Sequence, residues 1–242
     1  RPRRPPPGPL VVAPRPHPPA GAAAPGRFNA NRGAPQKPAA APPLGRRARV
    51  AAFFDLGENA ASAYSLIASS TATFFAAMLI MIVYGAWLAR EYGLGPRQLG
   101  SVALLFGCFD LVASVSVSLF TDRFGKRRSV LLGTAGALAG YLLIPWLNVG
   151  LIPAVLATAL SRGFFEFAVV SNIPLMSEQV PAMRGKVMTL GSAASLGAST
   201  LAALIAPALY ASAGIAGVAA LSALFAALAL LLVWARVQDA GS

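Results

Sequence analysis

Three stretches of the chain carry no charged side chain: residues 59–89, 129–161 and 187–235, which are 31, 33 and 49 residues long. A helix crosses the hydrocarbon core of a bilayer with about 20 residues, so each stretch is long enough to do so. Charge clusters and Gly, Pro and Asn positions break the apolar pattern into six spans of helical length, near 62–89, 98–121, 129–147, 150–175, 186–211 and 214–236. Only residues 148–150 separate the third span from the fourth, and only 212–214 the fifth from the sixth, so both pairs read as tight helical hairpins. The predicted fold is all-α: a polytopic membrane domain of six transmembrane helices over 50–242.

Composition strengthens that reading. The chain is 56% hydrophobic and 12% charged, with mean hydropathy +0.64. Soluble domains carry about 25% charged residues, which excludes a soluble globular enzyme. The formal charge is +12, yet residues 1–49 hold ten Lys/Arg and no acid, leaving ten basic and eight acidic residues beyond them. The same segment holds 14 of the 20 prolines and almost no large apolar residue, and is predicted to be a disordered Pro/Arg/Ala-rich tail or linker. It contains neither Ser nor Thr, which argues against an organelle transit peptide. A chain that opens on Arg1 rather than Met is read as a fragment.

Charge also orients the spans, because Lys and Arg near span ends resist translocation. Arg46, Arg47, Arg49, Arg123, Lys126, Arg127, Arg128, Arg184, Lys186 and Arg236 fall on one side, and Arg90 and Arg97 on the other. Ten against two places both termini in the cytoplasm. Trp87, Trp146 and Trp234 all stand at span ends, where interfacial anchors belong. Small residues at four-residue spacing permit close helix contact in lipid, as in Gly136 with Gly140, Ser114 with Ser118, and the run Gly191, Ser195, Ser199, Ala203.

Candidate chemistry is sparse. One cysteine, Cys108, permits no internal disulfide, and the single histidine, His17, lies in the tail, so serine–histidine hydrolysis and His-ligated metal chemistry lack their parts. No cofactor and no metal are expected. Cys108 reads as a small apolar filler, and Ser69, Ser70, Thr71 and Thr73 either line a polar path or bond back to their own helix. Three charges lie inside the spans: Asp110, Arg162 and Glu166. Burying an ionisable group in a membrane is costly unless it is partnered or hydrated, which makes each a functional candidate. Arg162 and Glu166 are four apart on one helical face and are expected to neutralise each other. Asp110 has no charged partner within a turn and must find one across the bundle, or water, or a proton. Near the middle of its span, it is the expected site of proton coupling or of contact with a cationic solute.

Two loops carry sequence signatures. Between the second and third spans stands Asp122-Arg123-Phe124-Gly125-Lys126-Arg127-Arg128. A basic turn between helices accounts for the Lys and Arg, but not for an acid followed at once by Arg and, one residue later, by Gly. The run resembles the G-x-x-x-D-R-x-G-R-R/K loop of the major facilitator superfamily, with Ser118 in place of the leading glycine. Glu178-Gln179-Val180-Pro181-Ala182-Met183-Arg184-Gly185-Lys186 is similar to the E-x-x-P-x-x-R-G connection before the fifth helix of such a half.

The resemblance implies one six-helix half of a transporter whose two halves enclose a central path and rock to alternate access, each half built of inverted three-helix repeats. It further implies that Asp122 acts as a gate element, holding one access state. Glu166-Phe167, the run Ile173-Pro174-Leu175 and the Pro-rich segment upstream resemble the C-terminal half, with the N-terminal half as the alternative. The expected activity is secondary transport of a small solute across a bacterial plasma membrane. Expected partners are membrane lipid, the solute and the missing six-helix half, and no nucleic acid. The rival reading is a non-transporting six-helix scaffold whose basic tail meets acidic lipids or partners.

Overall fold

The computed structural model describes residues 45–57 and 59–237, so the predicted disordered tail lies, for residues 1–44, outside the described part. All regular elements among the described residues are helical: α1 Arg46–Phe54, α2 Ala60–Tyr92, α3 Pro96–Phe124, α4 Lys126–Leu147, α5 Leu151–Gln179, a 3-10 turn Pro181–Met183, and α6 Arg184–Arg236. Five of these, α2 to α6, are long and apolar enough to cross a membrane.

Short glycine joints end and restart the helices. Gly93 closes α2 in the left-handed conformation (φ 68°), and its N–H bonds the Ala89 carbonyl at 3.0 Å. Pro96 opens α3 where a helix has no use for an N–H, while the Gly95 N–H is taken up by Gln98 Oε1 at 2.8 Å. Gly125, at φ 86° and ψ 143°, is the sole residue between α3 and α4, a conformation that L side chains rarely adopt.

α6 is continuous by hydrogen bonding yet breaks at Gly214, whose φ 63° and ψ −166° are not helical. Its two arms lie against the same end of α2. A Cβ on Gly191, in the first arm, would approach Ile67 Cγ1 at 3.9 Å, while the Ser69 hydroxyl donates to Ala229 O of the second arm at 3.0 Å. Ser222 donates to Ala76 O at 2.8 Å, so the second arm runs antiparallel to α2. The predicted turn at 212–214 therefore falls on the break.

α2 is the most enclosed helix and supplies Leu66, Ala76, Leu79, Ile80 and Trp87 to the core. α4 and α5 pack through glycines. A Cβ on Gly133 would lie 2.6 Å from the Ala168 backbone nitrogen, and one on Gly136 or Gly140 would run into Phe164 or Ser161. The predicted close contact at Gly136 and Gly140 is thus real and extends to Gly133. Overpacking of this kind costs about 1–3 kcal/mol, so Gly133→Ala is expected to lower the unfolding temperature in detergent. Gly197→Ala, where a Cβ meets nothing within 4 Å, is its control and should hold stability or raise it slightly.

α3 packs on α5 and leaves most of its apolar surface open: Leu104, Leu111, Val112 and Leu119 are 64–72% exposed. Open apolar area on that scale needs lipid or a partner to cover it. Two sequence expectations are corrected here. Trp87 is fully buried and donates Nε1–H to Glu91 Oε2 at 2.8 Å, so only the exposed Trp146 and Trp234 suit the interfacial role. Cys108 is exposed on α3 rather than a buried filler.

Candidate functional site

Asp110 stands at the midpoint of α3, and Arg162 and Glu166 flank the midpoint of α5. The expected Arg162–Glu166 pair is not the one formed. Arg162 reaches across to α3, where its Nε bonds Asp110 Oδ2 at 2.9 Å and its terminal nitrogen lies 2.8 Å from the same oxygen. A guanidinium forks its donors and reaches further than the rise of one turn, so the facing helix outcompetes the neighbour on its own. Asp110 thereby finds the partner across the bundle that its isolation on α3 demanded. Its Oδ1 is buried without a hydrogen bond.

Glu166 is left with a long bond from the Ser114 hydroxyl of α3, at 3.4 Å. The cluster thus contains two carboxylates and one guanidinium. Tyr141 and Ser161 line a small void beside Arg162, together with Ala77, Ile80 and Phe165. Both ion-pair side chains are about a quarter exposed or less, 24% for Arg162 and 22% for Asp110.

A second feature lies between α2, α5 and the first arm of α6: an open cleft of about 370 Å³. Ser70, Asn172, Ser192 and Ser195 give it a polar strip, and Phe74, Met176, Met188 and Leu196 give it an apolar wall. Of the hydroxyls expected on a polar path, only Ser70 reaches the cleft. Thr71 and Thr73 bond back to Ile67 O and Ser69 O, and Ser69 bonds α6. Asn172 is missing from the sequence reading.

The two loop signatures meet at one end of the bundle. Lys126, the first residue of α4, forms an ion pair with Glu178 in the last turn of α5. Arg127 donates to Trp234 O at 2.7 Å, and Lys186 to Ala52 O at 2.7 Å, tying α4 and α6 to the C-terminal arm and to α1. Arg123, Arg128, Arg184 and Gly185 are exposed, and Pro181 opens the 3-10 turn. Asp122 occupies the last turn of α3, with its side chain outside the described part. At the opposite end Tyr92 donates to Asn148, whose amide donates to Glu91 at 2.7 Å.

Residues 66–242 match the family described as Major Facilitator Superfamily. The chain belongs to the Major Facilitator Superfamily. An uncharacterised MFS-type transporter of Bacillus subtilis, YceJ, is 28% identical over 135 residues, 53% of this chain and 33% of that protein. The chain therefore spans about a third of the relative it matches. No solved structure matches it significantly. For a superfamily member with five helices of membrane-crossing length, the setting is integral and multi-pass, surrounded by lipid. Membership and the transporter relative support transport in general. In this superfamily chain α5 serves both features: it presents Arg162 and Glu166 towards α3 and, further along, lines the cleft with Asn172 and Met176.

Proposed function

We propose that this chain is a six-helix half, the C-terminal one, of a secondary transporter that carries a small solute by alternating access in a bacterial plasma membrane. The observation that carries the reading is the Asp110–Arg162 ion pair with Glu166 beside it, at the middle of two membrane helices and next to an open cleft. Charges held at that depth mark ion and substrate paths.

The break at Gly214 supports six crossings, since each arm of α6, residues 184–213 and 215–236, exceeds the length of one span. The domain then covers 50–242, with 1–49 as its tail or linker. The missing half of the same transporter would cover the open face of α3. The loop residues Asp122, Arg123, Gly125, Lys126, Arg127 and Arg128, with Glu178, Pro181, Arg184 and Gly185, form the cytoplasmic gate. Its closed state is held in part by the Lys126–Glu178 pair.

Solute counterflow by the intact protein in liposomes tests transport. Exchange above the empty-liposome rate is expected, and its absence across a broad solute panel favours the scaffold. Topology is tested by cysteine labelling after Cys108→Ser. Gly95→Cys should react only from outside and Gly185→Cys only from the cytoplasmic side, because a Cβ at either position meets no close neighbour. Labelling of Gly95→Cys from the cytoplasm alone reverses the orientation.

A further inference from the structure

From the make-up of the cleft between α2, α5 and the first arm of α6, we infer that the transported solute is uncharged, largely apolar, and carries at least one hydrogen-bonding group. The inference rests on the transport reading and adds the substrate class. At about 370 Å³ the cleft is within the 300–1,000 Å³ range usual for small-molecule sites. None of its lining residues is ionisable. The charged cluster faces α3 instead, where Arg162 and Glu166 bond Asp110 and Ser114.

The polar groups of the cleft converge from three helices and are unspent. Asn172 of α5 is 8% exposed, and its Oδ1 has no hydrogen-bond partner. Leaving a buried amide oxygen unpaired costs about 1–3 kcal/mol, so a group retained in this state points to a partner that arrives. The hydroxyls of Ser70, Ser192 and Ser195 likewise bond nothing among the described residues, whereas Ser199 on the same wall is satisfied by Ser195 O at 3.0 Å. Asn172 and Ser70 also border a pinhole void of about 10 Å³, shared with Thr134, whose Oγ1 is likewise unpartnered.

Apolar residues interleaved with these polar groups on the same helices choose the rest of the solute. Phe74, Val169, Ile173, Met176, Met188 and Leu196 offer area without directionality, and the two methionines adapt to irregular apolar shapes. An ion placed here would lose its water without gaining a counter-charge, a cost that a neutral molecule does not meet. The strip of one amide and three hydroxyls orients a carbonyl, hydroxyl or amide of the solute.

Radiolabelled chloramphenicol, which is neutral, aromatic and bears hydroxyl and amide groups, serves as the probe, with tetraphenylphosphonium and salicylate as the cation and the anion. Binding is measured on the intact purified protein by scintillation proximity. Saturable chloramphenicol binding is expected, with both ions at least tenfold weaker. Asn172→Leu keeps the cleft volume and should weaken chloramphenicol roughly tenfold, while raising the unfolding temperature because the unpaired amide is gone. Ser195→Phe fills the cleft and should abolish binding. Ser192→Leu, at the exposed lip, gives the same readout if Ser195→Phe disturbs folding.

Either ion binding as tightly as chloramphenicol, and lost on filling the cleft, overturns the neutral class. Chloramphenicol binding indifferent to all three variants, or no saturable binding of any probe, overturns the cleft as the site. Counterflow on the same preparation reports on transport independently of these outcomes.

Discussion

Replacing Arg162 by Ala is expected to destabilise the bundle by about 3–5 kcal/mol, the usual cost of removing one partner of a buried ion pair. Asp110 receives both of its contacts from Arg162, at 2.9 and 2.8 Å on Oδ2, and its Oδ1 has no other donor. With Arg162 gone, a carboxylate at the midpoint of a membrane helix has no counter-charge and one orphaned oxygen more. Both side chains are less than a third exposed, so screening recovers only part of the loss. Thermal unfolding in detergent, followed by gel filtration, reads the effect directly.

The double variant Asp110→Asn with Arg162→Leu separates charge from packing. A neutral pair of similar volume is often as stable as the ion pair it replaces, so the double variant should recover most of the stability lost by Arg162→Ala. Transport should not recover with it, because charges at this depth are proposed to belong to the ion or substrate path and not merely to hold α3 on α5. An Arg162→Ala protein that unfolds at the wild-type temperature, or a double variant that transports normally, would reduce the pair to a dispensable contact.

How much of this was legible in the sequence follows from the range of the forces involved. The long uncharged runs and the glycine joints located the membrane helices to within a few residues, because solvation of charge and the conformational demands of Gly93, Gly125 and Gly214 are local. The helix Arg46–Phe54 was not read as an element because nine residues are too few to register as a span, and the boundary drawn between 49 and 50 cuts through it. The partner of Arg162 was misassigned for a different reason. Sequence spacing favours the neighbour four residues on, and nothing in the chain announces which face of α3 will pack on α5. Asn172 left no signal, since a single amide in an apolar run does not alter the period, and its meaning lies only in the unpaired oxygen and the cleft beside it. Trp87 was misread because an indole at a helix end usually seeks the interface, whereas here the ring is buried and the exposed Glu91, one turn on, satisfies its N–H at the edge of the core.

Those misassignments decide where a coupling proton should bind. With Arg162 thought to neutralise Glu166, Asp110 was the acid left over; with Arg162 committed to Asp110, the acid left over is Glu166. Two carboxylates share one guanidinium, so electrical balance of the cluster requires one proton, and Glu166, held only by a 3.4 Å bond from Ser114, is the group free to exchange it. Glu166→Gln mimics the protonated acid in shape and still accepts the Ser114 bond. The variant is therefore expected to fold as wild type, to keep downhill exchange, and to lose both uphill transport and the pH dependence of its rate. Asp110→Asn should behave differently: it strips the Arg162 guanidinium of its counter-charge and depresses folding together with every mode of transport. The measurement is counterflow and proton-driven flux for both variants across the neutral pH range, in liposomes containing the intact protein. A Glu166→Gln protein with an unchanged pH profile, beside an Asp110→Asn protein that folds but has lost it, would return the proton to Asp110 and leave Glu166 as a polar contact between α3 and α5.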